Sequence, residues 1–103
     1  GKASVAVALA PGLPIDGVAC RGARAMLGVA QDALAEAAEC GRNLLNDFEN
    51  GARVPRPGNA VRIREALEEM GAVFMERGGR VAVGVDAEVA ARRTPRARAL
   101  GGA

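Results

Sequence analysis

At 103 residues the chain has room for a single domain, and although half of it is hydrophobic, that half is mostly Ala and Val with only Phe48 and Phe74 as aromatics. Such side chains bury little area each, which favours a mainly helical fold and a dimer that adds buried surface. The net charge of +2 is unevenly spread, with three Arg against six acids in residues 16–51 and the remaining Arg further on, and the lack of any His removes Ser-His, His-base and His-metal chemistry, so neither an enzyme nor a cofactor is expected.

Residues 1–15 are interrupted by Pro11-Gly12 and Pro14 and read as an arm that is either flexible or a strand in need of a partner. The apolar stretch from Ala3 to Ala10 is too short for a membrane span, and as a secretory signal it is short with a single Lys before it. Cys20 and Cys40 have no metal-ligand spacing and read as small buried apolar residues, so a reducing cytoplasm is the expected compartment.

Asp16 then stands as an N-cap, and Cys20, Ala23 and Leu27 give one apolar face to a helix from Gly17 to Leu27, stopped by Gly28. A second short helix is expected from Gln31 to Ala38, burying Leu34, Ala35 and Ala38. A third is expected from Arg42 to Glu49, with Leu45 and Phe48 inward and Asn50-Gly51 as its end. Pro55-Arg56-Pro57-Gly58 reads as a rigid connector to a fourth helix, Asn59 to Met70, whose Ala60, Ile63, Leu67 and Met70 share a face. Arg62, Arg64, Glu65, Glu68 and Glu69 read as its solvated face, and Met26, Met70 and Met75 as core filler.

After Gly71 the period changes. Val73 to Glu76 and Arg80 to Val85, joined through Arg77-Gly78-Gly79, read as a β-hairpin that must pack on the helices, pair across a dimer, or both. Residues 86–103 form an Arg-rich tail, with a short helix from Asp86 to Arg93 and an unstructured remainder. That tail is either a nucleic-acid arm or a solubilising end.

Short helix, tight turn, short helix lets one helix brace on phosphates while the next enters the major groove. The residues sharpen this. The stretch Gln31-Asp32-Ala33-Leu34-Ala35-Glu36-Ala37-Ala38, then Leu45, Asp47-Phe48-Glu49-Asn50-Gly51 and Arg53-Val54-Pro55, resembles the Cro/repressor-like family of helix-turn-helix regulators, also called the xenobiotic-response-element family. The looser likeness runs from Ile15-Asp16-Gly17 through Cys20-Arg21 and Ala23–Gly28 to a C-terminal hairpin ending at Val85.

The resemblance implies a helix-turn-helix bundle of four or five helices over residues 16–85, closed by the hairpin. It implies base contacts from Arg42, Asn43, Asn46 and Asp47, phosphate contacts from Gln31, Asn50, Arg53 and Arg56, and a structural ion pair between Arg24 and Glu49. Arg can bond guanine bidentately and Asn can bond adenine, while Asp47 either accepts from cytosine or orients Arg42 or Asn43. Cutting one member of the Arg24–Glu49 pair would strand a charge at a cost of about 3 kcal/mol.

The chain departs from the family at Ala30 and Gly41, where Ser or Thr caps are usual, at Glu39, where Gly is common, and at Leu44, where a small polar residue is usual. Leu44 then meets either a thymine methyl or a protein partner. The expected function is sequence-specific binding of double-stranded DNA by a homodimer acting as a repressor or autoregulator, with RNA polymerase or a regulatory protein left open as a further partner and no membrane involvement. The alternative is a protein-interaction module, antitoxin-like or anti-regulator, that keeps the fold and binds DNA weakly.

Overall fold

The computed structural model describes residues 7–93, in the order β1 (Val7–Ala8), α1 (Gly17–Leu27), α2 (Gln31–Ala37), α3 (Arg42–Glu49), α4 (Pro57–Met70), β2 (Ala72–Arg77), β3 (Arg80–Val85) and α5 (Ala87–Arg93). Mostly helical, it sets α1 against β3 and α4 against β2 of an antiparallel sheet ordered β1-β2-β3, with α2 and α3 packed on α4 and α1. Residues 1–6 of the expected arm, and Arg96 and Arg98 of the expected tail, lie outside the described residues.

The first helix starts where its sequence says it must: the Asp16 carboxylate accepts from the Ala19 N–H at 2.8 Å. Helices α2 and α3 begin at Ala30 and Gly41, neither of which supplies a side-chain cap. The α2 end closes with Cys40 N–H donating to Ala35 O and Glu39 N–H to Glu36 O, which holds Glu39 at φ 56°. That left-handed conformation costs a non-glycine residue about 1 kcal/mol, so Glu39 stores strain in the turn that aims α3.

Helix α4 begins at Pro57 rather than Asn59, so Pro57-Gly58 belongs to the helix and not to the connector. Proline is well placed there, because its missing N–H has no intrahelical partner at the first turn. The hairpin turn is Gly78-Gly79 alone, with φ 57° and 78°, and Arg77 pairs with Arg80 across it. Positive φ at both central residues matches the twist of the flanking strands, and glycine adopts it without a Cβ clash.

One contiguous core joins helices and sheet, with Cys20, Leu34, Leu45, Ile63, Leu67 and Phe74 fully enclosed. Helix α1 approaches α3 closely at Gly17, where a Cβ would lie 2.0 Å from the Phe48 carbonyl oxygen. Met26 is exposed rather than core filler, while Met70 packs against the core from a partly buried position.

Residues 7–15 find their partner within the chain. Val7 and Ala8 pair with Glu76 and Met75, and Leu9 and Ile15 are buried. The clamp is Arg64, expected on a solvated face but buried. Its guanidinium donates to the carbonyls of Leu9 at 2.7 Å, Ala10 at 2.6 Å and Leu13 at 2.8 Å, and to Glu68 at 3.1 Å. A planar fork of donors suits three converging carbonyls, which explains how a charge sits inside. Arg62 stays exposed, as expected, and its Nε donates to the Ala38 carbonyl at 3.2 Å, tying α4 to the end of α2.

Candidate nucleic-acid interface

Helices α2 and α3 are joined by residues 38–41 and packed through Leu34, Ala35, Ala38, Leu45 and Phe48. With those side chains inward, helical periodicity turns Asn43, Asn46, Asp47 and Asn50 to the opposite side, while Arg42 is exposed as the first residue of the helix. Arg42, Asn43, Asn46 and Asn50 are exposed and Asp47 is half-buried, so the expected base-contact residues share one outward face. Leu44 is half-buried at the margin of that face.

The base of this face is a polar network. Arg24 on α1 meets Glu49 on α3 through two parallel bonds of 2.8 Å, Nε to Oε2 and Nη2 to Oε1, and also donates to the Val29 carbonyl at 2.9 Å. Gln31 Nε2 donates to Glu49 Oε1 at 3.1 Å and to Asn46 Oδ1 at 3.2 Å, and Asn50 Nδ2 donates to the same Asn46 oxygen at 3.3 Å. The ion pair therefore fixes α3 to α1, and Gln31 carries that constraint to the exposed Asn46.

Burial alone would raise the Glu49 carboxyl pKa, but hydrogen bonds from Arg24, Gln31 and Cys20, with the Arg24 charge, more than offset it and hold the carboxyl below its ordinary value. Burial, reinforced by Glu49, pushes the Cys20 thiol far up, and its Sγ sits 3.4 Å from Glu49 Oε2 as a donor. Both cysteines are free thiols; Cys40 is half-buried, and burial raises its pKa as well.

A depressed carboxylate contributes stability above its unfolded pKa, and that contribution is lost as pH falls through the folded value. Glu49→Gln should cost about 2 kcal/mol at neutral pH, because Arg24 keeps its charge and loses its counter-ion. Denaturant melts from pH 7 down through the carboxylate range should show the wild-type advantage shrinking. A gap independent of pH would show that the Glu49 charge is not what is lost.

The expected phosphate contacts divide. Both donor hydrogens of the Gln31 amide are directed to Glu49 and Asn46, which leaves its backbone N–H, at the first position of α2, to meet a phosphate. Asn50, Arg53 and Arg56 are exposed after α3, and among the described residues Arg53 and Arg56 have no ion pair. Arg42 meets Asp32 at 3.3 Å, both well exposed; such pairs are worth little, so Arg42 is released at small cost.

Beside this face lies a groove of about 630 Å³ that the sequence reading did not single out. Pro14, Val18, Phe48, Val54, Pro55 and Ala60 line it, with Val18 78% and Val54 93% exposed. Among the described residues, no helix is long and apolar enough to cross a membrane, and no cluster of His, Cys, Asp or Glu is placed to hold a metal ion. Neither a protein-family model nor a curated protein sequence matches the chain.

Proposed function

We propose that the chain is a Cro/repressor-like helix-turn-helix regulator that reads double-stranded DNA with α3, acting in the cytoplasm as a homodimeric repressor or autoregulator. The observation that carries this reading is the outward row Arg42, Asn43, Asn46, Asp47 on a helix whose base is fixed by the Arg24–Glu49–Gln31 network. A base reader needs polar side chains on a rigid element, and this one has both.

The row assigns different tasks to its two asparagines. The Asn43 side chain makes no hydrogen bond among the described residues, so it offers a donor and an acceptor together, the pattern that adenine matches. Asn46 already accepts twice on Oδ1, from Gln31 and Asn50, and offers only N–H, which suits guanine or thymine acceptors. Arg53 and Arg56 hold the neighbouring phosphates, and a two-fold pair of protomers reads half-sites about 34–36 Å apart.

Titrating a bound duplex with salt separates these roles. Arg53→Ala and Arg56→Ala should weaken binding to all sequences alike and lower the salt slope by about 1 each. Asn43→Ala should leave the slope unchanged and relax specificity at one position by about 1–3 kcal/mol. Equal losses on cognate and random duplexes for Asn43→Ala would remove it from base recognition.

A second reading, a protein-interaction module with weak DNA affinity, is favoured by the apolar groove and its exposed Val18 and Val54. Single exposed valines are ordinary, but two beside one concave apolar surface fit a protein ligand. That reading gains if duplexes bind without sequence preference.

A further inference from the structure

Three segments of the chain enclose the groove beside the α3 face: the start of α1, the end of α3 with the loop after it, and the first turn of α4. Its floor is Ile15, Phe48 and Ala60, all buried, and its rims are the exposed Val18 and Val54. Pro14, Pro55 and Pro57 stand in its walls, and a proline ring fixes φ. The loop is anchored at both ends, by Ala52 N–H donating to Asp47 O at 2.8 Å and Asn59 N–H to Arg56 O at 2.9 Å. The groove is therefore formed before anything enters it, and binding there has little chain to order. At about 630 Å³ it falls in the range of small-molecule sites.

The charges of the lining decide what kind of molecule fits. Glu49 is already committed, since both its oxygens accept from Arg24. Asp16 caps α1 through Oδ1, and the positive end of that helix offsets its charge. Arg53, the remaining charged residue of the lining, has neither an ion pair nor a side-chain hydrogen bond among the described residues. An anionic group therefore complements the groove. One negative charge fits better than two, because Asp16 and Glu49 also line it. A guanidinium fork suits a carboxylate, which it holds through two parallel bonds.

We propose that this groove binds a small molecule that joins an apolar body to one carboxylate, with the carboxylate on Arg53 and the apolar body against Val18 and Val54. Covering the two valines removes apolar surface from water, and the walls need not move.

The same Arg53 guanidinium holds a DNA phosphate in the proposed function, and it cannot face both anions at once. A bound carboxylate therefore weakens DNA binding, and by linkage DNA weakens carboxylate binding by the same factor. This regulatory consequence rests on the proposed function, whereas occupancy of the groove does not.

Titration of the full chain without DNA, followed by NMR shifts, with octanoate, octanol and octylammonium in turn, tests the site. Octanoate should shift the Val18 and Val54 methyls and bind about fivefold more tightly than octanol, with octylammonium weakest. Arg53→Ala should bring octanoate down to the level of octanol and leave octanol unchanged. Val18→Asp removes an apolar rim at an exposed first-turn position where an acid suits the helix, so the fold is kept, and it should abolish octanoate binding. Octanoate and octanol binding alike, or shifts that lie away from Val18 and Val54, overturn the proposal. Absence of binding overturns it too, and passes the groove to a protein ligand. Duplex retention is read separately: octanoate should lower it in the wild type and leave Arg53→Ala unaffected. Unchanged retention with octanoate bound removes the competition. A chain that binds octanoate through Arg53 yet selects no DNA motif keeps the groove site and loses the regulator.

Discussion

Gly17→Ala is expected to destabilise the protein by more than about 3 kcal/mol and to lower its melting temperature by roughly 15 °C. The added Cβ would lie 2.0 Å from the Phe48 carbonyl oxygen and 2.9 Å from its carbonyl carbon, both backbone atoms that no rotamer change can move. Relief requires the start of α1 to lift away from the end of α3. That motion strains the Arg24–Glu49 pair, which spans the same two helices, so DNA affinity should fall with stability. Gly22→Ala is the control. Its Cβ meets nothing within 4 Å, and alanine at this half-buried helix position gains about 0.5–1 kcal/mol. Thermal melts followed by circular dichroism should therefore move in opposite directions for two identical substitutions in one helix. Equal melts would mean that α1 and α3 are further apart than described.

Arg64→Leu should cost about 3 kcal/mol and release residues 7–15 from the core. The substitution keeps an apolar stem and removes the guanidinium donors from the Leu9, Ala10 and Leu13 carbonyls; Ala10 O still accepts from Leu13 N–H, and only the Leu9 carbonyl belongs to a buried residue. Arg64→Lys should fall between, because an ammonium on a flexible stem lacks the fork that reaches three carbonyls at once. The direct readout is hydrogen exchange at Leu9, whose N–H is bonded to the Phe74 carbonyl at 3.0 Å. It should speed up in Arg64→Leu well before the Leu34 amide in α2 does. Uniform acceleration through the whole chain would mean that Arg64 supports global stability and not the N-terminal segment.

The helical part of the fold was legible because its signals are local. Asp16 as a cap, Gly28 and Asn50-Gly51 as stops, and apolar residues at helical spacing bound α1, α2 and α3 without reference to anything distant. The N-terminal segment was not resolved into arm or strand, since its pairing with β2 joins Val7 to Glu76, a contact that no local pattern encodes. Arg64 was misread although a signal was present. It falls on the apolar row of Ala60, Ile63 and Leu67 at helical spacing, and its charge outweighed its position. The outward face of α3 could be drawn from spacing, but the Gln31 and Asn50 bonds to one Asn46 oxygen depend on side-chain geometry. The groove was hidden for the same reason, because Val18 and Val54 are brought together by the packing of α1 against the loop after α3.

The most direct test of the central claim is selection of the full chain on a pool of random duplexes at two salt concentrations, followed by sequencing. The account predicts enrichment of a two-fold-related motif, affinity falling as salt rises, and loss of that enrichment in Asn43→Ala. Retention of duplexes with no motif, weak and abolished by salt, would contradict it and leave the groove beside Val18 and Val54 as the surface to pursue.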